Sequence, residues 1–270
     1  MLDGLKRLFS GAVATASPSA EPVAQWAQQQ EFLYRSVAEE GFVIDGRCDG
    51  MAWRMEWGPT QRPYWTGHEL RLRAEPGLPA ELQAVVMTRA LQETLEKAVF
   101  EQYVDGVQTR IDGETPPEMR WLVMFPKLSG SELGALREHF TALASGKLWL
   151  TTWLNGPLTP ALLATCAPPV DELASHANAP LVLTIGRGRL TLRTELASPD
   201  SAGLQAWLAL FEVAMQQARR VGLGGAEPSQ AHSQVDSQAH SQAHSQPHSQ
   251  PQAHSQPPLP PGAANKTPQV

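Results

Sequence analysis

The segment 58–68, Gly-Pro-Thr-Gln-Arg-Pro-Tyr-Trp-Thr-Gly-His, has the residue types best suited to binding and joins two predicted strands. Its candidate binding residues are Arg62, Tyr64, Trp65 and His68. Aromatic side chains and arginine on loops often dominate the binding energy of protein interfaces. The segment is therefore the candidate site for contact with a protein partner. The interpretation we favour is that Tyr64 and Trp65 fold back and cover one end of the core.

Nucleophilic catalysis would require a serine or cysteine beside a histidine and an orienting carboxylate. The chain offers Cys48 with His68 and Cys166 with His176, and neither pair lies in a recognisable motif. The Gly-Arg-Gly-Arg segment at 186–189 lacks the third glycine of a dinucleotide-binding loop, and the sequence contains neither a Walker A nor an HExxH motif. The sequence therefore predicts no catalytic residue and no cofactor.

Two sets of residues have the ligand types of a metal site. The loop acids Asp105, Asp112 and Glu114 provide carboxylates, but their spacing matches no metal-binding motif. Neutral histidines of the C-terminal tail could chelate Ni²⁺, Cu²⁺ or Zn²⁺, and they are His232, His240, His244, His248 and His254. Because an unfolded tail loses entropy when it coordinates an ion, we expect modest affinity and no specific metal there, and we predict no metal site.

The charge pattern disfavours nucleic acid as a partner. The 270-residue chain has a formal net charge of −6, and a mildly acidic protein does not attract polyanions. Between residues 45 and 75, five arginines are balanced by five acidic residues. Strand alternation places Trp53 and Trp57 in the core and turns Arg54 and Glu56 toward water. We therefore expect matched surface charges and no charged hotspot, and arginines that met in one concavity without acids would contradict this expectation.

Periodicity predicts alternating helical and extended regions. Helices are predicted from Pro22 to Val37, with Gly41 closing that helix, over 82–103 and from the capping box at Ser129 to about Ser145. Strands are predicted at 42–45, 53–57, 70–75 and, as an apolar strand in the middle of a sheet, 119–125. Two short helices fit 147–166, with a strand at 148–150 as the alternative. The C-terminal part predicts a hairpin over 181–195 and a helix from an N-cap at Ser198 to Gly222.

These elements predict an α+β fold with a mostly antiparallel sheet of about five or six strands and helices packed mainly on one face. We expect a flexible segment at 1–21, one domain at 22–222, and a disordered, low-complexity tail rich in His, Ser, Gln and Pro at 223–270. The segments 70–84 and 190–206 look alike, which suggests a diverged duplication of a ββα module, with chance similarity as the alternative.

The order of a helix, a three-stranded meander and a long helix over Pro22 to Tyr103 resembles the opening of type III secretion chaperone-like folds. This resemblance implies a cytosolic, protein-binding homodimer. The chain has two cysteines that form no CxxC pair, and it has no apolar run long enough to span a membrane. Both features also predict a cytoplasmic protein. A weak secretory signal at the N-terminus is the alternative.

Together these observations predict a non-catalytic cytoplasmic interaction or adaptor protein. The alternatives are a small-ligand- or metal-binding protein and an enzyme of unknown chemistry.

Overall fold

The computed structural model describes residues 20–37, 41–104, 115–166 and 179–224. All of these lie in the unit Met1–Ala226, and a second unit, Glu227–Val270, contains none of them. The predictions for the N-terminal segment, the loop acids Asp105, Asp112 and Glu114, His176, and the tail histidines fall outside the described residues.

Eight strands are described, and they form one sheet. The strands are β1 Leu33–Val37, β2 Gly41–Cys48, β3 Met51–Pro59, β4 His68–Ala74, β5 Ala84–Thr88, β6 Phe140–Ala144, β7 Leu181–Gly186 and β8 Arg189–Glu195. The helices are α1 Ala20–Gln29, α2 Arg89–Val104, α3 Pro117–Met124, α4 Gly130–Leu133, α5 Lys147–Leu154, α6 Leu158–Ala164 and α7 Ser201–Gly224, and a 3-10 helix spans Gly134–Glu138.

The sheet order is β1-β2-β3-β4-β8-β7-β5-β6, and every pair of neighbouring strands is antiparallel. The predicted α+β class and antiparallel sheet are confirmed, whereas the expected five or six strands are too few. The hairpin β7–β8 inserts between β4 and β5. As a result, β8 lies beside β4, although more than a hundred residues separate them in sequence.

Apolar side chains pack on both faces of the sheet. On one face, α1, α5, α6 and α7 cover a large core that includes Trp53, Trp57 and Trp153. On the other face, α2 and α3 cover a smaller cluster over β5, β6 and β7. Most helices therefore share one face, as predicted. The second face stays open over β1 to β4 and β8, where polar and charged side chains lie beside the exposed apolar Leu33 and Val37 of β1.

The N-terminal helix is shorter than predicted because the chain turns sharply after Gln29. The amide of Glu31 donates to the Gln28 carbonyl at 3.0 Å, and that of Phe32 donates to the Ala27 carbonyl at 2.9 Å. This is the Schellman arrangement, with Glu31 in the left-handed region at φ 59°. Glycine usually marks such an end, so a glutamate at this position gave no sequence signal. The residues predicted to continue the helix form strand β1 instead.

Three further predictions are wrong because an apolar run does not distinguish a helix from a buried strand. The start of the predicted helix over 82–103 is strand β5, which is buried between the two apolar clusters. The predicted strand over 119–125 belongs to helix α3, which begins with Pro117 at its first turn. The helix opened by the capping box at Ser129 ends early, and strand β6 occupies 140–144.

The C-terminal predictions are largely confirmed. The two short helices over 147–166 are α5 and α6, and the hairpin and the long helix α7 form as expected. The N-cap of α7 is Asp200, whose carboxylate accepts from the Gly203 amide at 2.8 Å, rather than the predicted Ser198. The duplicated ββα module is not found in its predicted form, because residues 82–84 lead into strand β5. None of the described helices is long and apolar enough to cross a bilayer.

Candidate anion-binding site

The open part of the second face carries paired charges, which we call the arginine ladder. It consists of Arg54, Arg71, Arg73, Asp45, Glu56 and Glu69. Arg54 Nε lies 2.6 Å from Asp45 Oδ1, Arg73 Nη2 lies 2.6 Å from Glu56 Oε1, and Arg71 bonds both Glu56 and Glu69. The strand register sets Arg54 directly opposite Arg73, and the acids beside them neutralise this like-charge pair. The predicted matched charges are confirmed here.

Asp45 shows how the ladder stabilises its charged form. Partial burial alone would raise the pKa of its carboxyl group, but hydrogen bonds and charge from Arg54 and Arg35 outweigh burial and lower that pKa. The side chains of Arg35 and Arg54 are both about half exposed, so solvent screens these pairs.

A second ionic group, which we call the Glu118 latch, fastens helix α3 to the loop that precedes β4. The Glu118 side chain is completely buried, and its Oε1 accepts from Arg62 Nε at 2.5 Å and from the Tyr64 hydroxyl at 2.5 Å. Burial, then the charge of Glu118, raises the pKa of Tyr64, so its hydroxyl remains a proton donor. Burial would lower the pKa of Arg62, but Glu118 and Tyr64 outweigh it and raise that pKa.

The four residues predicted to bind a partner have separate surroundings. Arg62 and Tyr64 belong to the Glu118 latch, and Trp65 is only 6% exposed, in the smaller apolar cluster. His68 stacks on Trp57 of the larger core, with ring centroids 4.6 Å apart. The partner-binding role of this set stays a prediction. Of the four side chains, that of Arg62 lines the cavity described next.

A cavity of about 620 Å³, which we call the arginine pocket, opens between helix α3 and the hairpin β7–β8. Its lining, among the residues that the structure describes, includes five arginines and no aspartate or glutamate. The arginines are Arg62, Arg120, Arg187, Arg189 and Arg193. Thr184, Thr191 and Gln83 add polar groups, and Trp121 and Met124 add apolar surface.

The turn of the hairpin β7–β8 places two arginines at the rim of this pocket. Arg187 and Gly188 occupy its corner with φ values of 54° and 75°, the signs that a type I′ turn requires. Asparagine, aspartate or glycine is usual at the first of these positions, so an arginine there costs backbone energy. Arg189 follows at the start of β8.

Helix α3 supplies the opposite wall because a glycine lets it approach the sheet. A Cβ atom built on Gly186 would lie only 3.0 Å from the ring of Trp121, closer than side chains normally pack. This contact, together with the Glu118 latch, fixes the helix turn that carries Arg120. The wall that carries Arg120 therefore depends on tertiary contacts.

Three of the five arginines have acidic partners outside the lining. Arg62 pairs with Glu118, Arg193 Nη1 lies 2.6 Å from Glu69 Oε1, and Arg189 pairs with the exposed Glu75.

The guanidinium groups of Arg120 and Arg187 have no ion pair or hydrogen bond with any part of the chain that the structure describes. The Nε of Arg120 is buried without a partner. The pocket thus contains two positive charges that no residue described in the structure neutralises.

Arg193 experiences repulsion from neighbouring arginines. Burial, followed by the charges of Arg62 and Arg71, lowers the pKa of Arg193, although Glu69 and Glu118 act in the opposite direction. The expectation that the chain has no charged hotspot is therefore wrong. That expectation rested on the balance of charges within residues 45–75, whereas four of the five lining arginines lie outside that span.

The proposed pair of Cys48 and His68 gains no support from the structure, and the pair of Cys166 and His176 falls outside the described residues. Cys48 lies at the β2–β3 turn, while His68 pairs with Pro59 at the opposite end of the same strands. Cys166 lines a second cavity of about 470 Å³ with His139 and Glu195, but burial raises the pKa of its thiol and so disfavours the reactive thiolate. Within the described ranges, no group of three or more His, Cys, Asp or Glu residues could hold a metal ion.

Comparisons with known proteins do not assign a family. No family model matches the sequence, and no curated protein matches it. The crystal structure of the mycobacterial trehalose monomycolate transport factor A, TtfA, is similar to this chain with a TM-score of 0.39 and 9% sequence identity. The match covers 74% of this chain and 92% of that one. A similarity of this degree says nothing about function.

Proposed function

We propose that this chain is a non-catalytic binding protein that holds an anionic ligand in the arginine pocket. The observation that carries the proposal is the pocket lining, in which the described residues include five arginines and no acid. Arginine is the side chain best suited to hold carboxylate or phosphate groups, because its planar guanidinium donates two parallel hydrogen bonds. The cavity volume also falls in the range of small-ligand sites.

The charge balance supports binding of an anion. Arg120 and Arg187 have no local counter-charge among the described residues, and the buried Arg193 experiences repulsion from neighbouring arginines. An anion in the pocket would relieve this repulsion and would gain charge-assisted hydrogen bonds where water is partly excluded.

The same lining argues against catalysis. Arginine stays protonated at neutral pH and cannot act as a general base. The described lining contains no histidine, cysteine or carboxylate that could accept a proton or attack a substrate. Thr184 and Thr191 provide hydroxyl groups without an adjacent base in the lining. The arrangement suits the capture of an acidic group rather than its conversion.

Isothermal titration calorimetry with pyrophosphate and citrate tests this proposal. We expect the wild-type chain to bind at least one of them, and the double variant Arg120→Gln/Arg187→Gln to bind it about tenfold more weakly. The matched control, Arg47→Gln/Arg219→Gln, removes two exposed arginines that bond backbone carbonyls at the β2–β3 turn, and it should leave the affinity unchanged. Unfolding curves establish that both variants fold. The proposal fails if neither anion binds, or if the control loses as much affinity as the pocket variant.

A second candidate function, adaptor to a protein partner, is favoured by strand β1. This strand lies at the end of the sheet, and no other strand in the described ranges pairs with its outer edge. Its Leu33 and Val37 side chains are 61% and 47% exposed. An exposed, partly apolar edge can accept a further strand from another chain, and a second copy is the simplest source.

Sedimentation over a range of protein concentrations tests this second candidate. Pairing between two β1 strands predicts a dimer that Leu33→Lys/Val37→Lys abolishes. Leu148→Lys, at a residue that is 83% exposed on helix α5, is the control and should leave the dimer intact. A wild-type chain that stays monomeric at every concentration would rule out self-pairing.

A further inference from the structure

We infer that the ligand of the arginine pocket carries a phosphate group in its dianionic form. This inference rests on the proposed function, because it names the class of anion that the same pocket selects. It follows from the number of charges left unpaired, the directions from which donors reach the cavity, and the apolar surface at its rim.

The number of unpaired charges favours a dianion. Glu118, Glu69 and Glu75 each pair with one lining arginine, which leaves Arg120 and Arg187 without a counter-charge in the described chain. A phosphate monoester carries close to two negative charges at neutral pH, whereas a carboxylate carries one. One phosphate group would therefore balance the charges of both Arg120 and Arg187.

The acids beside the pocket already bond arginines of the ladder. Glu69 Oε1 already accepts from Arg71 as well as from Arg193. Glu56, the other partner of Arg71, also serves Arg73. Because each of these acids is shared between two arginines, the ladder has no further carboxylate to neutralise Arg120 or Arg187.

The donors reach the cavity from three parts of the fold. Arg62 comes from the loop before β4, Arg120 from helix α3, and the remaining arginines from the hairpin β7–β8, whose strands also provide Thr184 and Thr191. A terminal phosphate presents three oxygens in different directions, so it can accept from several walls at once. A carboxylate presents two oxygens in one plane and suits a single guanidinium fork better.

The rim shows that the phosphate belongs to a larger molecule. The cavity volume of about 620 Å³ far exceeds the space that one phosphate needs. Trp121 and Met124 line it, and Met124 is 63% exposed and so available to an organic substituent. The shared chemistry is a phosphate ester, and its source is either a small organic phosphate or a phosphorylated side chain.

Calorimetry with three probes on one scaffold tests the inference. Phenyl phosphate offers a dianion with three terminal oxygens, benzenesulfonate a monoanion with three, and benzoate a monoanion with two. We expect phenyl phosphate to bind about tenfold more tightly than either of the others at pH 7.5. In Arg120→Gln/Arg187→Gln, its affinity should fall to that of benzenesulfonate, while the control Arg47→Gln/Arg219→Gln should behave as wild type.

The pH dependence provides an independent readout. The second ionisation of a phosphate ester has a pKa of about 6, and the arginines stay charged throughout. The affinity for phenyl phosphate should therefore fall between pH 7.5 and 5.5, as the phosphate takes up a proton. The affinities for benzoate and benzenesulfonate should not change, because both keep their charge over this range.

Calorimetry with a phosphoserine peptide and its unphosphorylated form distinguishes the two sources of the phosphate ester. Tighter binding of the phosphopeptide than of phenyl phosphate indicates a phosphorylated protein, and equal or weaker binding indicates a small organic phosphate; both outcomes support the inference. Benzoate or benzenesulfonate binding as tightly as phenyl phosphate would overturn it, while the proposed anion-binding function would stand. A wild-type chain that binds pyrophosphate or citrate but none of these probes would also overturn the inference, whereas a chain that binds no anion at all would defeat the proposed function itself.

Discussion

The arginine ladder and the arginine pocket use the same side chain on the same face of one sheet, with opposite results. In the ladder, each arginine has a carboxylate partner on its own or the neighbouring strand. In the pocket, Arg120 and Arg187 have none within the described chain, since they lie on helix α3 and on a turn. Both regions meet at Glu69, which bonds Arg71 of the ladder and Arg193 of the pocket.

The difference shows that local charge pairing depends on strand register. Within the sheet, alternation places arginines and acids on one face at fixed spacing, so ion pairs form between neighbouring strands. A helix or a turn that approaches the sheet brings arginines without matching acids. A concave, positively charged surface forms where these two kinds of element meet.

The largest expected effect concerns the Glu118 latch, which holds one wall of the pocket. Glu118→Gln should lower the free energy of unfolding by about 3 kcal/mol, because it leaves the buried guanidinium of Arg62 without a counter-charge. Denaturant unfolding measures this change. Glu138→Gln, at an exposed ion pair with Arg137, is the control and should shift stability by less than about 0.5 kcal/mol. A loss for Glu118→Gln as small as that of the control would contradict the latch.

The second prediction separates stability from binding at the junction of the two regions. Glu69→Gln should lower stability by about 2 kcal/mol, because its buried carboxylate neutralises Arg71 and Arg193. The same change makes the pocket more positive, so an anion such as pyrophosphate should bind more tightly. Unfolding curves and calorimetry on one preparation measure both quantities. Weaker anion binding in a folded variant would contradict this relation between ladder and pocket.

A smaller effect is expected at the strained turn of the hairpin. Arg187→Asn should raise stability by about 0.5 kcal/mol, since asparagine tolerates the left-handed conformation that Arg187 adopts. Arg187→Gln removes the same charge and keeps the backbone strain, so it should give no gain. Both variants should bind anions more weakly than wild type. Equal stability of the two variants would show that the turn stores no strain.

The smallest effect is expected at Asp45, where the ladder is most exposed. Asp45→Asn should cost less than about 0.5 kcal/mol at pH 7, because its ion pairs with Arg35 and Arg54 are partly exposed. The pKa of Asp45 is lowered in the folded state, so its contribution is present above the unfolded pKa of about 4 and is lost as the pH falls through the folded value. Unfolding curves of both proteins from pH 7 to pH 2 should therefore converge at the acid end.

Local patterns predicted part of this molecule well. Alternation at 53–57 correctly placed Trp53 and Trp57 in the core and Arg54 and Glu56 outside it. Where an element is buried on two sides, as strand β5 is, the apolar run contains no periodicity, and a strand was mistaken for a helix. The candidate site was only partly predicted, through Arg62, because its other arginines have no sequence pattern in common.

The sequence by itself determined which residues of β3 point into the larger core, where the hairpin β7–β8 turns, and that α7 is a helix, because these features depend on residues a few positions apart. Only the tertiary structure decided that β8 lies beside β4 and that helix α3 packs on Gly186. Those contacts join segments that are distant in sequence, and their choice depends on how the whole sheet buries its two apolar clusters. The arginine pocket exists because of that choice.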